Sequence, residues 1–250
     1  MLNNQWTRRN FLSRGALGAG AVISGPAAIT LLSSTRAWAA DFGSDVDVLN
    51  YALTLEYLEA TFYEQGNQAG ILTSSADKDL FQLIQMDEEA HVQAISATIS
   101  KLGGQPVAKP QVNFPAGTFQ SRDAFLKLSK TFEETGVGAY LGAAGSIQSK
   151  DVLQAAAGIF GVEARHAAAV GYIAGLPPEG GIYMGATETA KSKNDVLAAV
   201  MPFLGDMTGT GFAPSPADQG LLLPAAAGAL AGGGLLLAGL RRRLTAPEQA

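Results

Sequence analysis

The sequence predicts an all-α protein: a four-helix bundle made of two hairpins joined by one long crossover. Three observations lead there. Four segments, 45–68, 76–103, 121–147 and 150–175, place apolar residues at helical spacing, and few stretches alternate as strands do. Short Gly/Ser turns join the first segment to the second and the third to the fourth, which makes antiparallel neighbours. The stretch from Gly103 to Gln120 carries Pro106, Pro110 and Pro115. About seventeen extended residues can reach about 50 Å, enough to run the length of a helix.

The N-terminus comes first in the chain. Thr7-Arg8-Arg9-Asn10-Phe11-Leu12 precedes an apolar Gly/Ala-rich run that ends in Ala37-Trp38-Ala39. A basic start, an apolar middle and an A-x-A end are the parts of a signal peptide. The paired arginines followed by Phe-Leu resemble a twin-arginine signal. Residues 1–39 are therefore expected to be that signal, cleaved after Ala39. The other reading is a short apolar anchor that stays in place.

The bundle, 45–176, follows. In the first helix Leu49, Leu53, Glu56, Ala60 and Tyr63 share a stripe. In the second, Ile84, Glu88, His91 and Ile95 do so, while Gln82, Gln85, Glu89, Gln93, Ser96 and Ser100 form a separate polar face. Glu88 is thus expected inside and Glu89 in water. The third helix aligns Leu126, Ser129, Glu133, Val137 and Tyr140, with Glu134 near Lys127 and Lys130 on a wetter face. The fourth aligns Ile159, Phe160, Glu163, His166 and Val170.

Residues 177–220 read as a loop-rich extension, with Pro177-Pro178, Gly180-Gly181, Pro214 and Pro216, interrupted by one short helix near 194–204. Leu221 to Leu240 is twenty residues without a charge, followed by Arg241-Arg242-Arg243. That length spans a bilayer, and the arginines hold the end in the cytoplasm. The expectation is a transmembrane or sorting segment at 221–240 and a basic cytoplasmic tail at 241–250, with the domain in the periplasm or cell envelope. A disordered Ala/Gly tail is the alternative. Gly228 and Gly232 form a GxxxG pair that leaves a homo-oligomer open.

Composition excludes several chemistries. Cysteine is absent, so there is no disulfide, no thiolate nucleophile and no Cys-based zinc or iron–sulfur site. Residues 41–220 hold 21 acids against 10 bases. Such a body repels nucleic acid and attracts cations.

The chain has two histidines, and each lies three residues after a glutamate: Glu88-x-x-His91 and Glu163-x-x-His166. Positions i and i+3 share a helix face, so each pair presents a carboxylate and an imidazole to one point. A lone pair of this kind is usually a surface feature. Here both lie on apolar faces, where an unpaired carboxylate is costly and must be neutral, hydrogen-bonded or metal-bound. The other two helices supply Glu56 and Glu133, each followed seven residues later by a tyrosine. The two hairpins are weak internal repeats, each with one Glu, one Glu-x-x-His and one Tyr. The tyrosines alone read equally well as core aromatics with satisfied hydroxyls.

The set Glu56, Glu88-x-x-His91, Glu133, Glu163-x-x-His166 resembles the ferritin-like di-iron carboxylate superfamily, a ligand pattern that general accounts of such bundles describe. More narrowly, 55–63 (LEYLEATFY), 87–91 (DEEAH), 132–144 (FEETGVGAYLGAA) and 162–168 (VEARHAA) resemble exported ferritin-like proteins that include desiccation-related ones. The resemblance covers about 45–205. It implies that Glu88 and Glu163 bridge two iron or manganese ions, with Glu56 and His91 completing one and Glu133 and His166 the other. It also implies that Tyr63 and Tyr140 hydrogen-bond to ligating carboxylates. Glu59, one turn after Glu56, offers an extra ligand, although it and Glu134 are expected to be solvated. Gly136 and Gly138 depart from the closest ferritins; they let a backbone approach or leave a gap for substrate. The implied chemistry is oxidation of ferrous iron, peroxide disproportionation or oxidation of an organic substrate, with O2 or peroxide as partner. The alternative is a non-enzymatic, stress-related bundle that keeps a structural metal or only the remnants of one.

Overall fold

A computed structural model describes residues 42–205. The expected signal at 1–39, the apolar segment at 221–240 and the tail at 241–250 lie outside these residues. Among the described residues no helix is long and apolar enough to cross a membrane.

The elements are α1 (Asp45–Gln68), α2 (Ser75–Lys101), α3 (Arg122–Ala143), α4 (Lys150–Ile173) and α5 (Lys193–Val200). The described residues contain no strand, only isolated bridges. A serine starts every helix. Ser44, Ser74, Ser121, Ser149 and Ser192 each accept a hydrogen bond from the backbone N–H three residues on. Each such cap satisfies an otherwise orphaned donor and contributes about 1 kcal/mol. Asp47, Asp77 and Asp195 sit in first turns, where a negative charge meets the positive end of the helix dipole. Glycines follow three of the ends: Gly70 after α1, Gly103 after α2 and Gly175 after α4 take positive φ, a conformation that costs glycine little.

The helix ends differ from the expected limits by up to four residues. The third helix stops at Ala143 and tightens into a 3-10 turn at Ala144–Ser146, a common way to satisfy terminal carbonyls. The short helix ends at Val200 and continues as 3-10 through Met201–Phe203, where Pro202 has no N–H to donate.

α1 packs along α2, and α3 along α4. The crossover, 102–121, is fastened at three places. Asn50 of α1 bonds the Gln105 carbonyl and the Val107 amide. Asn113 and Gly205 exchange backbone bonds with Phe203 and Gln111, so the 201–205 stretch lies against the crossover. Phe114 and Phe119 pack on Phe62 at ring separations of 5.4 and 5.6 Å. At the start of α1, the Asp45 carboxylate accepts from the Gln148 and Ser149 amides at 2.7 and 2.8 Å. That contact locks one hairpin to the turn of the other.

α3 meets the segment before α5 across its glycines. The Lys191 amide donates to the Gly138 carbonyl at 2.9 Å. A Cβ on Gly142 would stand 1.9 Å from the Lys191 carbonyl oxygen, and one on Gly138 would stand 2.6 Å from the Lys191 side chain. Gly142 therefore serves the close approach of a backbone, and Gly138 that of the Lys191 side chain.

Candidate metal centre

Each helix of the bundle delivers its polar residues from an otherwise apolar stripe. On α1, Leu49, Leu53, Ala60 and Tyr63 are buried with Glu56 between them. On α2, Phe81, Ile84, Ile95 and Ile99 flank Glu88 and His91. The pattern repeats on α3 around Glu133 and on α4 around Glu163 and His166. Glu56, Glu88, Glu133 and Glu163 are all at 0 % exposure. Glu89, next to Glu88, is exposed as its face requires.

The six side chains meet at the middle of the bundle. Ligand atoms of Glu56, Glu88, His91 and Glu163 lie within 4.8 Å of one another, and so do those of Glu88, Glu133, Glu163 and His166. Glu88 and Glu163 belong to both groups. His91 Nδ1 is 3.1 Å from Glu56 Oε2, 3.2 Å from Glu88 Oε2 and 3.2 Å from Glu163 Oε1. His166 Nδ1 is 2.9 Å from Glu88 Oε1 and 3.5 Å from Glu133 Oε2. Glu88 thus turns one oxygen to each imidazole. The two rings are 6.4 Å apart.

The tyrosines cross between hairpins. Tyr63 of α1 donates to Glu133 of α3 and lies 2.6 Å from Ser129 Oγ. Tyr140 of α3 donates to Glu56 of α1. Each tyrosine therefore holds the other hairpin's glutamate. Burial pushes both phenols well above their ordinary range, with the facing carboxylate adding to it, so both stay protonated donors. Asp87 lies 3.1 Å from His166 Nε2. This outer contact fixes the ring so that Nδ1 faces inward.

Electrostatics follow from many charges in little water. Burial pushes Glu56 up to about 8, partly offset by its hydrogen bond with His91. Burial and the neighbouring glutamates push Glu163 well up, and burial also raises Glu133. Glu88 runs the other way. Burial opposes its ionisation, yet the imidazoles of His166 and His91 facing its two oxygens hold it at about 2. Burial likewise works against charge on the imidazoles. The facing carboxylates of Glu163, Glu56 and Glu88 nevertheless raise His91 to about 12, and those of Glu133 and Glu88 raise His166 to about 11. The centre is a place that demands positive charge.

Bound metal ions would meet that demand. Five buried atoms make no well-directed hydrogen bond, close as some stand to an ion-pair partner: Glu88 Oε1, Glu133 Oε2, both Glu163 oxygens and His166 Nδ1. Burying such an atom unpaired costs about 1–3 kcal/mol. All five belong to residues of the two groups. Oxygen and imidazole donors of this kind suit iron or manganese. The cluster could hold metal ions.

Two expectations need correction, and Gly136 resolves one alternative. Glu59 is not solvated: it is 3 % exposed and faces the centre, because α1 is buried on nearly every side. Lys130 is not on a wet face either. Its stem is buried and its ammonium reaches the Ala167 carbonyl at 3.1 Å and Glu134 at 3.0 Å. Glu134 itself remains partly exposed in that pair. Gly136 leaves no gap for substrate: a Cβ there would lie 3.2 Å from Glu163 Oε2 and 3.3 Å from Glu59 Oε1, so the two carboxylates use the space. The sequence reading missed Asp87, for which an exposed residue beside Glu88 gives no signal. The i+3 spacing from Glu56 was the available signal for Glu59.

The sequence model for the ferritin-like domain matches residues 44–175, which takes in all four bundle helices and more than half of the chain. No curated protein matches the chain. On the family match and on the helices and cluster that fill the same span, the chain belongs to the ferritin-like domain family.

Proposed function

We propose that this chain is an exported di-metal carboxylate protein that performs redox chemistry on dioxygen, peroxide or ferrous iron in the cell envelope. The observation that carries the metal reading is the convergence of five buried atoms without a well-directed hydrogen bond on two overlapping ligand groups. In this reading Glu88 and Glu163 are shared by two iron or manganese ions. Glu56 and His91 complete one position, and Glu133 and His166 the other. Such a pair, when bound, supplies the electrons that the reaction exchanges.

The protein's part is placement and exclusion. Tyr140 and Tyr63 fix the rotation of Glu56 and Glu133 by holding one oxygen of each. Asp87 sets the tautomer of His166 by accepting a hydrogen bond from Nε2–H. Phe62, Phe81 and Phe125, at 0 % exposure, close the Tyr63 end to water. A dry centre strengthens every charge interaction within it.

Export is supported by Arg8-Arg9 and the A-x-A ending at Ala39. The twin-arginine route carries folded proteins, which suits one that receives its ions beforehand. Attachment through 221–240 is supported by the arginines that follow it. A role in envelope stress rests on the likeness to desiccation-related proteins.

A second reading is a structural metal without catalysis. It is favoured by the place of the charges, between all four helices, where cations would hold the bundle together. Elemental analysis of the purified full chain, with assays of ferrous iron oxidation and peroxide consumption, tests the first reading. Two ions per chain and activity that vanishes in His91→Ala/His166→Ala, with the fold intact, are expected. Two ions without activity, and unfolding on their removal, point to the second reading. A chain without stoichiometric metal contradicts both.

A further inference from the structure

The repeat that pairs Glu56 with Glu133 and Glu88 with Glu163 also pairs the surroundings of the two tyrosines. Three rings stand around Tyr63: Phe62, Phe81 and Phe125. In the register of the repeat, Phe62 corresponds to Ala139, Phe81 to Ala156 and Phe125 to Val48. All three counterparts edge the cavity beside Tyr140. Small side chains thus leave open at one end the space that three phenylalanines fill at the other.

The cavity gives the centre of a water-sized molecule about 20 Å3 in which to move, where about 10–15 Å3 suffices to hold one. Its wall is almost entirely carbon, with Ala52 and Ala143 widening it. Val48, Ala52, Ala139 and Ala143 are buried, and Ala156 is half-buried, so the open side lies toward α4. Tyr140 joins the cavity to the carboxylate cluster: it lines the wall, and its hydroxyl is committed to Glu56. A space without hydrogen-bonding groups holds water poorly and accepts apolar guests. A packing fault is the plain reading, since wall atoms without neighbours lose dispersion contacts. A fault gives no reason for the gap to fall on all three counterparts of one aromatic cluster, against a side chain that holds Glu56.

We propose that this cavity is a binding site for one small apolar molecule, of the size and polarity of dioxygen, beside Tyr140 and not beside Tyr63. Binding depends on the cavity alone; that the guest serves the centre rests on the di-metal reading above. Ferrous ions and peroxide are poor guests, because the wall offers them no charge and hardly any hydrogen-bonding group.

The test is xenon, an apolar and electron-dense atom, applied under pressure to crystals of the full chain. Wild type is expected to show a xenon peak bounded by Ala139, Ala156 and Tyr140, and none beside Tyr63. Ala156→Phe restores, at a half-buried position, the ring that the other end has, and is expected to lose the peak. Should that variant fail to fold by circular dichroism, Ala52→Val narrows the same space and makes the same comparison. No xenon in the wild-type cavity overturns the proposal. A peak that persists in the folded variant, or an equal one beside Tyr63, overturns the assignment to the exchange of rings for small side chains. Ferrous iron oxidation at varied dioxygen then tests the service to the centre: the filled variant is expected to raise KM for dioxygen with kcat kept, as lost binding does. An unchanged KM overturns that service and leaves the site standing. A chain that binds xenon here but no metal ions overturns the di-metal reading alone.

Discussion

In the first hairpin Tyr63 is surrounded by aromatic rings, with Phe62, Phe81 and Phe125 at 5.2, 6.0 and 6.0 Å. In the second, Tyr140 borders a small cavity edged by Ala52, Ala139 and Ala143. The chemistry they hold is the same: a tyrosine hydroxyl on a glutamate of the opposite hairpin. The surroundings differ at several positions of the repeat. Ser129 backs Tyr63, where the equivalent position in α1 is Ala52. Asp87 contacts His166, where the equivalent in α4 is Val162. Glu59 faces Gly136. Repeated carboxylates and imidazoles thus stand in unrepeated surroundings. The Tyr63 end is filled by rings, and the Tyr140 end borders a small apolar cavity.

The comparison can be broken most severely at the shared carboxylates. Glu88→Gln combined with Glu163→Gln is expected to abolish binding at both positions, whereas Glu133→Gln alone should spare the ion beside His91. Counting Mn2+ bound per chain in the two variants distinguishes these outcomes. Next in size is the aromatic end. Phe125→Ala removes a ring at 0 % exposure that packs on Phe62, Phe81 and Tyr63, and is expected to lower stability by about 3–5 kcal/mol in urea unfolding.

The tyrosines test the asymmetry directly. Tyr63→Phe leaves both Ser129 and Glu133 without their partner, and a loss of about 2–3 kcal/mol is expected. Tyr140→Phe unpairs Glu56 alone and should cost about 1–2 kcal/mol. Equal losses in thermal unfolding would show the two ends to be alike.

The smallest effect lies where the hairpins meet at their edge. Arg122 reaches Asp77 at 2.6 and 3.2 Å and the Ile173 carbonyl at 3.2 Å. Its hydrogen bond holds the Asp77 carboxyl below its ordinary value of 3.8. Since the folded pKa is the lower one, the stabilisation is present above the unfolded value and is lost as pH falls through the folded one. Arg122→Ala should cost about 1 kcal/mol at pH 7, the pair being partly exposed. The difference from wild type should fade below about pH 4, which stability curves at several pH values would reveal.

Much of this was legible in the sequence, for identifiable reasons. Glu88, His91, Glu163 and His166 stand on stripes whose opposite faces are polar or small, so periodicity alone turns them inward. The long proline-bearing link between two hairpins sets the connectivity. Glu59 escaped because α1 has no wet side on which to place it: Tyr51, Leu55, Leu58 and Phe62 are as buried as the ligand stripe. Lys130 escaped because a long side chain can bury its stem and still deliver its charge to a carbonyl. The crossed pairing of the tyrosines depends on which helices face each other across the bundle, and spacing within one helix carries no such information.

The central claim, a pair of cations shared by Glu88 and Glu163, is tested most directly by anomalous diffraction from crystals grown with Mn2+. Two peaks are predicted between those carboxylates, one next to Glu56 and His91 and the other next to Glu133 and His166. A map with no peak there, or with manganese held only by exposed acids elsewhere, would contradict it.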